Sequence, residues 1–251
     1  MATFGFSMTT WGSPNAPRRA LLVHSALASG LVWFKVAQHL VAAGHGWIER
    51  RSTYTVHGVA QYLADHLEEG YDLIAGVSFG STVVCSLLPL LNHKPKRLVL
   101  VDPVLDMVPY SPEQIAQMIS QTAKPVSEED LLRKNPAWTN QDAIVKRLAS
   151  VSCDPTVIGQ LFEAASRGEC SHDILPPASE TEIIILAGDP ALNSVYSSRS
   201  HVKLLEEKHP HVKLAIQRQA SHDMHKDHPE VIAEVMLNGL GERDGLEILR
   251  A

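Results

Sequence analysis

The chain has 251 residues, a formal net charge of -6, 45% hydrophobic and 20% charged residues, and three cysteines. That length suits a single α/β domain with a substantial core, while the acidic balance and the lack of a dense Lys/Arg run argue against a nucleic-acid surface. No apolar run approaches membrane-spanning length, no basic-then-apolar leader opens the chain, and Cys85, Cys153 and Cys170, odd in number and without C-x-x-C spacing, point to free thiols in a reducing, cytoplasmic setting.

Thr3 to Trp11 reads as an edge-type strand closed by the turn Gly12-Ser13-Pro14. Arg19 to His24 is apolar without alternation, the pattern of a strand covered on both faces. Leu31 to Ala43 places apolar residues at helical spacing and ends at Gly44; Val56 to Leu67 is a second helical pattern. Leu73 to Ala75 is a short buried strand, and the small apolar segment beyond Ser78 suits a helix ending near Asn92 to Pro95. Arg97 to Val101 is another wholly apolar strand, stopped by Asp102-Pro103.

Residues 104–180 differ in kind. They hold no convincing strand and four helical segments: Pro112 to Thr122, Ser127 to Lys134, Asn140 to Ser150 and Asp154 to Ser166. Ser111, Ser127 and Asp154 stand where N-caps belong, with Pro112 and Pro155 at first helical positions. The expected organisation is a core domain of residues 1–103 and 181–251 with a helical cap inserted at 104–180. The sheet pattern then resumes with the strand Glu182 to Ala187, a helix at Arg199 to Lys208, the more polar strand His211 to Gln217, and a helix at Pro229 to Leu240. The charged end, Gly241 to Ala251, reads as a loose tail or short helix. Alternating strands and helices predict a mainly parallel, doubly wound sheet whose ligands bind outside the carboxyl ends of the strands.

Three loops at that edge carry the chemistry. Gly76-Val77-Ser78-Phe79-Gly80 is G-x-S-x-G between a strand and a helix, where the sharp turn lifts the serine hydroxyl off the sheet and the glycines relieve crowding. Ser78 is the candidate nucleophile. A serine hydroxyl needs a base to take its proton, and the late loop Ala220 to Glu230 offers His222, His225 and His228. His222 is nearest the end of the last strand and is the candidate base; His225 and His228 read as surface or capping residues. The spacing of His209, His211, His222, His225 and His228 does not form a helical i, i+4 pair with a partner Glu, so no metal site is expected. Two acids compete to orient the imidazole, Asp189 and Asp102, each following a strand and preceding a proline. Asp189 is preferred because its strand is better placed to neighbour the histidine loop. The oxyanion donors are the backbone amides of Phe79 and, from the loop after His24, Ala26.

The segments Leu21 to Ala26, Gly76 to Gly80, Leu98 to Pro103, Gly188-Asp189-Pro190 and Ser221 to Pro229 together resemble the α/β-hydrolase superfamily over nearly the whole chain. That resemblance implies a helical cap over the strand ends and a Ser–acid–His order, with the oxyanion loop at His24-Ser25 where the family usually has His-Gly. Its acid usually lies three residues past the strand-ending glycine, a position held here by Ala191, which keeps Asp102 as the alternative to Asp189. Members also carry a strand and a Gly-rich turn before the second helix; Ala42 to Arg50 leaves almost no room for these, so either Trp47-Ile48 is a vestigial strand or, as expected here, one core strand is missing.

The expected function is that of a serine hydrolase of the esterase or lactonase type. It cleaves an ester, lactone or thioester of a small apolar substrate through an acyl-enzyme, with no cofactor and no metal. Tyr110, Trp138 and Phe162 of the insertion are candidate pocket walls. The alternative is a non-catalytic small-molecule binding protein or receptor on the same scaffold. The expected partner is the small-molecule substrate, with no nucleic acid and no membrane, and the protein is a monomer or homodimer.

Overall fold

The computed structural model describes residues 9–251 except 14, 27, 49–54, 69, 106–109, 123, 125, 153–155 and 197; for 10, 46–48, 121, 122, 152, 156–158 and 198 it describes the backbone alone. The described strands are β1 (Thr10–Trp11), β2 (Arg18–Val23), β3 (His45–Ile48), β4 (Leu73–Val77), β5 (Arg97–Val101), β6 (Glu182–Ala187), β7 (Val212–Gln217) and β8 (Leu246–Arg250). They form one eight-stranded sheet in the order β1-β3-β2-β4-β5-β6-β7-β8. Strands β3, β2, β4, β5, β6 and β7 run parallel, and β1 and β8 pair antiparallel on the two edges.

The period-2 geometry of a strand divides the core in two. Ala20, Leu22, Ala75, Val99, Ile184 and Ala215 point to one face, where α1 (Phe34–Ala42) and α10 (Pro229–Asn238) cover them. Leu21, Ile74, Leu98, Ile183 and Leu214 point to the other, under α2 (Val56–His66), α3 (Phe79–Leu87) and α8 (Ser198–Lys208). Because both faces are covered, β4 and β5 are buried at every position. This is the reason their sequences run apolar without alternation.

Between β5 and β6 lie α4 (Pro112–Thr122), α5 (Glu128–Lys134), α6 (Asn140–Ser152) and α7 (Thr156–Ser166), with α4 packed on α7 and α5 on α6. The caps explain where two of them start. Ser111 Oγ accepts from the Gln114 amide at 3.3 Å, and the Gln114 side chain accepts from the Ser111 amide at 2.8 Å, a reciprocal capping box. Ser127 Oγ accepts from the Asp130 amide at 3.1 Å. The expected cap at Asp154-Pro155 lies outside the described residues. A short helix, α9 (Met224–Asp227), follows β7 directly.

Two expectations need correction. The strand held to be missing is present: β3 is four residues long and pairs with β2 in parallel and with β1 antiparallel. It spans the Trp47-Ile48 pair of the vestigial alternative, and its mark in the sequence is weak because it begins directly after the Ala43-Gly44 turn. The charged C-terminal end is a strand as well. Its residues Leu246 to Arg250 pair with β7 across a bulge at Leu214/Ala215, and they complete a partly exposed edge rather than a loose tail. Of the expected N-terminal strand Thr3 to Trp11, residues 3–8 lie outside the described residues.

Candidate active site

At the carboxyl ends of the central strands the hydrogen-bond ladder runs one residue past each strand. The Ser78 amide donates to Val101 O at 2.9 Å and the Asp102 amide to Leu186 O at 2.9 Å. Ser78 and Asp102 therefore stand on one rim, each on the first residue after its strand. Both have positive φ, 55° and 39°. Left-handed backbone is costly for a residue with a Cβ, and here it turns β4 into α3 within one residue.

The two glycines of the motif make that turn sterically feasible. A Cβ on Gly76 would lie 2.3 Å from Gly80 O, and one on Gly80 would lie 2.3 Å from Val23 O and 2.7 Å from His24 O. Gly80 thus brings the end of β2, and the loop that follows it, against the first turn of α3. Ser81 Oγ donates to Gly76 O at 2.7 Å and ties the helix start back to the strand. The Phe79 amide belongs to the first turn of α3, whose N–H groups the helix itself leaves unpaired.

Asp102 is fully buried. Its Oδ1 accepts from the Gly188 amide at 3.1 Å and Ser194 Oγ at 2.6 Å. Its Oδ2 accepts from the Val195 amide at 2.9 Å, and His222 Nδ1 lies 2.6 Å away. Four partners let a carboxylate sit where an unpaired one would be very costly.

The histidine loop is fixed from several sides. Ser221 donates its amide at 2.9 Å and its hydroxyl to Asp227 Oδ2, while Ser221 Oγ accepts from the Asp223 amide at 3.1 Å. A Cβ on Gly188 would lie 2.9 Å from Ser221 O, so only glycine lets the end of β6 approach this loop so closely. Among the described residues no hydrogen bond joins Ser78 Oγ to His222; such contacts commonly tighten only when substrate is bound.

A model of the alpha/beta hydrolase family matches residues 4–235. The chain belongs to that family. A segment of 103 residues is 30% identical to Lipase LipV of Mycobacterium tuberculosis (strain ATCC 25618 / H37Rv), spanning 37% of this chain and 40% of the lipase. Among solved structures, an esterase (EaEST) from Exiguobacterium antarcticum matches with a TM-score of 0.68 at 16% identity, over 92% of this chain and 94% of that one. A thioesterase domain from the curacin biosynthetic pathway matches at 0.66 with 18% identity, over 93% and 95%. At such identities the likeness is one of fold.

In this α/β-hydrolase-family chain the preference for Asp189 as the residue holding the imidazole is corrected. Its Oδ1 accepts from the Ala191 amide at 3.0 Å and its Oδ2 from the Gln219 amide at 3.1 Å, and Arg218 Nη1 lies 3.5 Å away. The Ala191 and Gln219 amides hold its carboxyl below the usual range. Asp189 braces the histidine loop from outside and leaves the imidazole to Asp102.

His225, expected at the surface, is also corrected: it is buried, and burial foremost, then Lys226, pushes its imidazole well below the ordinary value. Of the other histidines, His209 and His211 precede β7 whereas His222 follows it. A strand of that length separates them by roughly 20 Å. Among the described residues no group of three or more His, Cys, Asp or Glu is placed to hold a metal, and no helix is long and apolar enough to cross a membrane.

A cavity of about 120 Å³ opens at this rim, lined by Ser25, Ala28, Val32 and Val77 together with Lys146, His222, Asp223, His225 and Lys226. Of the charged and imidazole groups in that lining, only His222 was anticipated at the site. Lys226 is 3% exposed, donates to Asp223 Oδ1 at 2.8 Å and sits 3.7 Å over the Trp138 ring. Burial would raise the Asp223 carboxyl, but Lys226, His225 and Lys146 outweigh it and hold the group well below the usual range. Trp138 packs with Leu131 and Ala143 in a small cluster of the insertion, and Tyr110 meets Phe162 edge-on at 4.6 Å. These aromatic residues serve the insertion's own packing rather than lining the cavity.

Proposed function

We propose that the protein is a carboxylic ester hydrolase that cleaves an ester, lactone or thioester of a small molecule through an acyl-enzyme. The observation that carries this reading is the imidazole of His222 bonded to a buried, fully satisfied carboxylate on the same sheet rim as a strained serine elbow. Family membership and the partial likeness to a lipase support a hydrolase.

In the proposed mechanism Ser78 Oγ attacks the carbonyl carbon while His222 Nε2 takes its proton. Asp102 keeps the other proton on Nδ1 and stabilises the imidazolium. The amides of Phe79 and Ala26 receive the oxyanion; the contact of Gly80 with the Val23 and His24 carbonyls supports this pairing, since it draws the loop of Ala26 to the helix start. The imidazolium protonates the departing alcohol or thiol, and water reverses the sequence to release the acid. The insertion at 104–180 acts as a cap, the remainder as the core domain.

The test is turnover of p-nitrophenyl acetate by the wild type and by Ser78→Ala. The proposal expects hydrolysis that the substitution reduces to background, with the far-UV spectrum unchanged. Equal turnover in the two proteins would leave a binding protein on a hydrolase scaffold.

A further inference from the structure

The ionisable groups around the cavity do not balance. Asp223 is paired with Lys226, and Asp142 is paired with Lys35 at 2.7 Å. Lys146 comes from α6, is half-buried and lines the same cavity, and among the described residues its ammonium makes no hydrogen bond or ion pair of its own, acting on Asp223 only at longer range. His225 is kept neutral by burial and by its cationic neighbours. The lining therefore carries two lysine charges against one carboxylate, a net charge of +1.

A half-buried cation that only shares one carboxylate, Asp223, with Lys226 is unfavourable for the fold alone. It also opposes the positive charge that His222 acquires when it takes the serine proton. Both costs fall if an anion occupies the cavity.

We infer that the substrate carries a free carboxylate, which Lys146 and Lys226 hold in this cavity while the scissile carbonyl lies at Ser78. This rests on the hydrolase reading above and narrows it to half-esters or half-thioesters of short dicarboxylic acids. On this inference the expected small apolar substrate gains an anionic end: Ala28, Val32 and Val77 give the cavity apolar surface, and Lys146 and Lys226 give it positive charge. A cavity of about 120 Å³ has room for a carboxylate on a short carbon chain.

The experiment compares mono-p-nitrophenyl glutarate with its methyl ester, which has the same chain without the charge. The wild type should favour the acid in kcat/KM by about tenfold or more, the scale of a charge-assisted contact. Lys146→Met should bring the ratio of the two close to one; because it is a ratio, loss of folded protein cancels. Lys203→Met, at a side chain 84% exposed, should leave the ratio as in the wild type. Glutarate binding followed by calorimetry reads the same site without turnover, and Lys146→Met should weaken it by about tenfold. Ser78-dependent hydrolysis with no preference for the acid, and no glutarate binding, overturns this inference and leaves the hydrolase reading intact. Glutarate binding that depends on Lys146, without Ser78-dependent hydrolysis, supports the anion site and removes the hydrolase reading.

Discussion

Replacing each of the two candidate acids by its amide separates their roles. Asp102→Asn keeps the shape but leaves one acceptor oxygen for two pairs of partners. If that oxygen takes the Oδ2 position, the new NH2 meets the Gly188 amide, now 3.1 Å from Oδ1. If the NH2 takes the Oδ2 position, it faces the Val195 amide, and His222 must turn an unprotonated Nδ1 toward it. Its proton then sits on Nε2, and the ring is no base for Ser78. Either way one buried N–H is stranded, at a cost of about 1–3 kcal/mol, and the surviving bonds lose their charge assistance. A total near 3 kcal/mol lowers Tm by roughly 6–12 °C for a chain of this size. Loss of the orienting carboxylate lowers kcat by about 10³-fold or more. Asp189→Asn should cost far less, because Asp189 is near the surface and its partners brace a loop. A change within about tenfold in kcat and about 1 kcal/mol in stability is expected there. Thermal unfolding and p-nitrophenyl acetate turnover, measured on both variants, decide the matter. Collapse of activity in Asp189→Asn with survival in Asp102→Asn would refute the reasoning.

Gly80→Ala should lower stability by more than about 4 kcal/mol and abolish turnover, since its methyl would meet backbone that cannot yield, 2.3 Å from Val23 O. Gly168→Ala, with positive φ but nothing within 4 Å, should cost about 1–2 kcal/mol in denaturant unfolding. Stability should fall with pH below about 6.5, because unfolded His225 takes up a proton that the buried ring refuses; this contributes a slope of about 1.4 kcal/mol per pH unit. His225→Gln should flatten the Tm–pH profile in that range, and an unchanged profile would reject the assignment. Burial pushes the Cys85 thiol up and that of Cys170 to about 11. Iodoacetamide at pH 8 should therefore leave both unlabelled in the native protein and label all three cysteines in guanidinium, as counted by mass spectrometry.

The buried parallel strands were legible because burial on both faces leaves a local mark, a short apolar run, and the serine elbow was legible because glycine is needed at both its flanks. The short strand at His45–Ile48 left no such mark: its pairing with β1 and β2 is set by partners distant in sequence. The choice of acid had the same character. Asp102 and Asp189 each follow a strand, and β6 lies nearer β7, which favoured Asp189 on position alone. What decides between them is the loop 188–195 folding over Asp102, while the Ala191 and Gln219 amides hold Asp189 turned away. His225 looked like a surface residue because histidine is seldom fully buried, and the buried Lys226 beside it is rarer still. Their burial comes from Trp33 and Trp138, more than eighty residues away along the chain.

The central claim is that Ser78 is made nucleophilic by His222. It is tested most directly by reacting the native protein with a fluorophosphonate and locating the adduct by peptide mass spectrometry, alongside His222→Ala. The account predicts a single adduct on Ser78 in the native protein and labelling at least about 10³-fold slower in the variant. An adduct on another residue, or equal labelling rates in the two proteins, would contradict it.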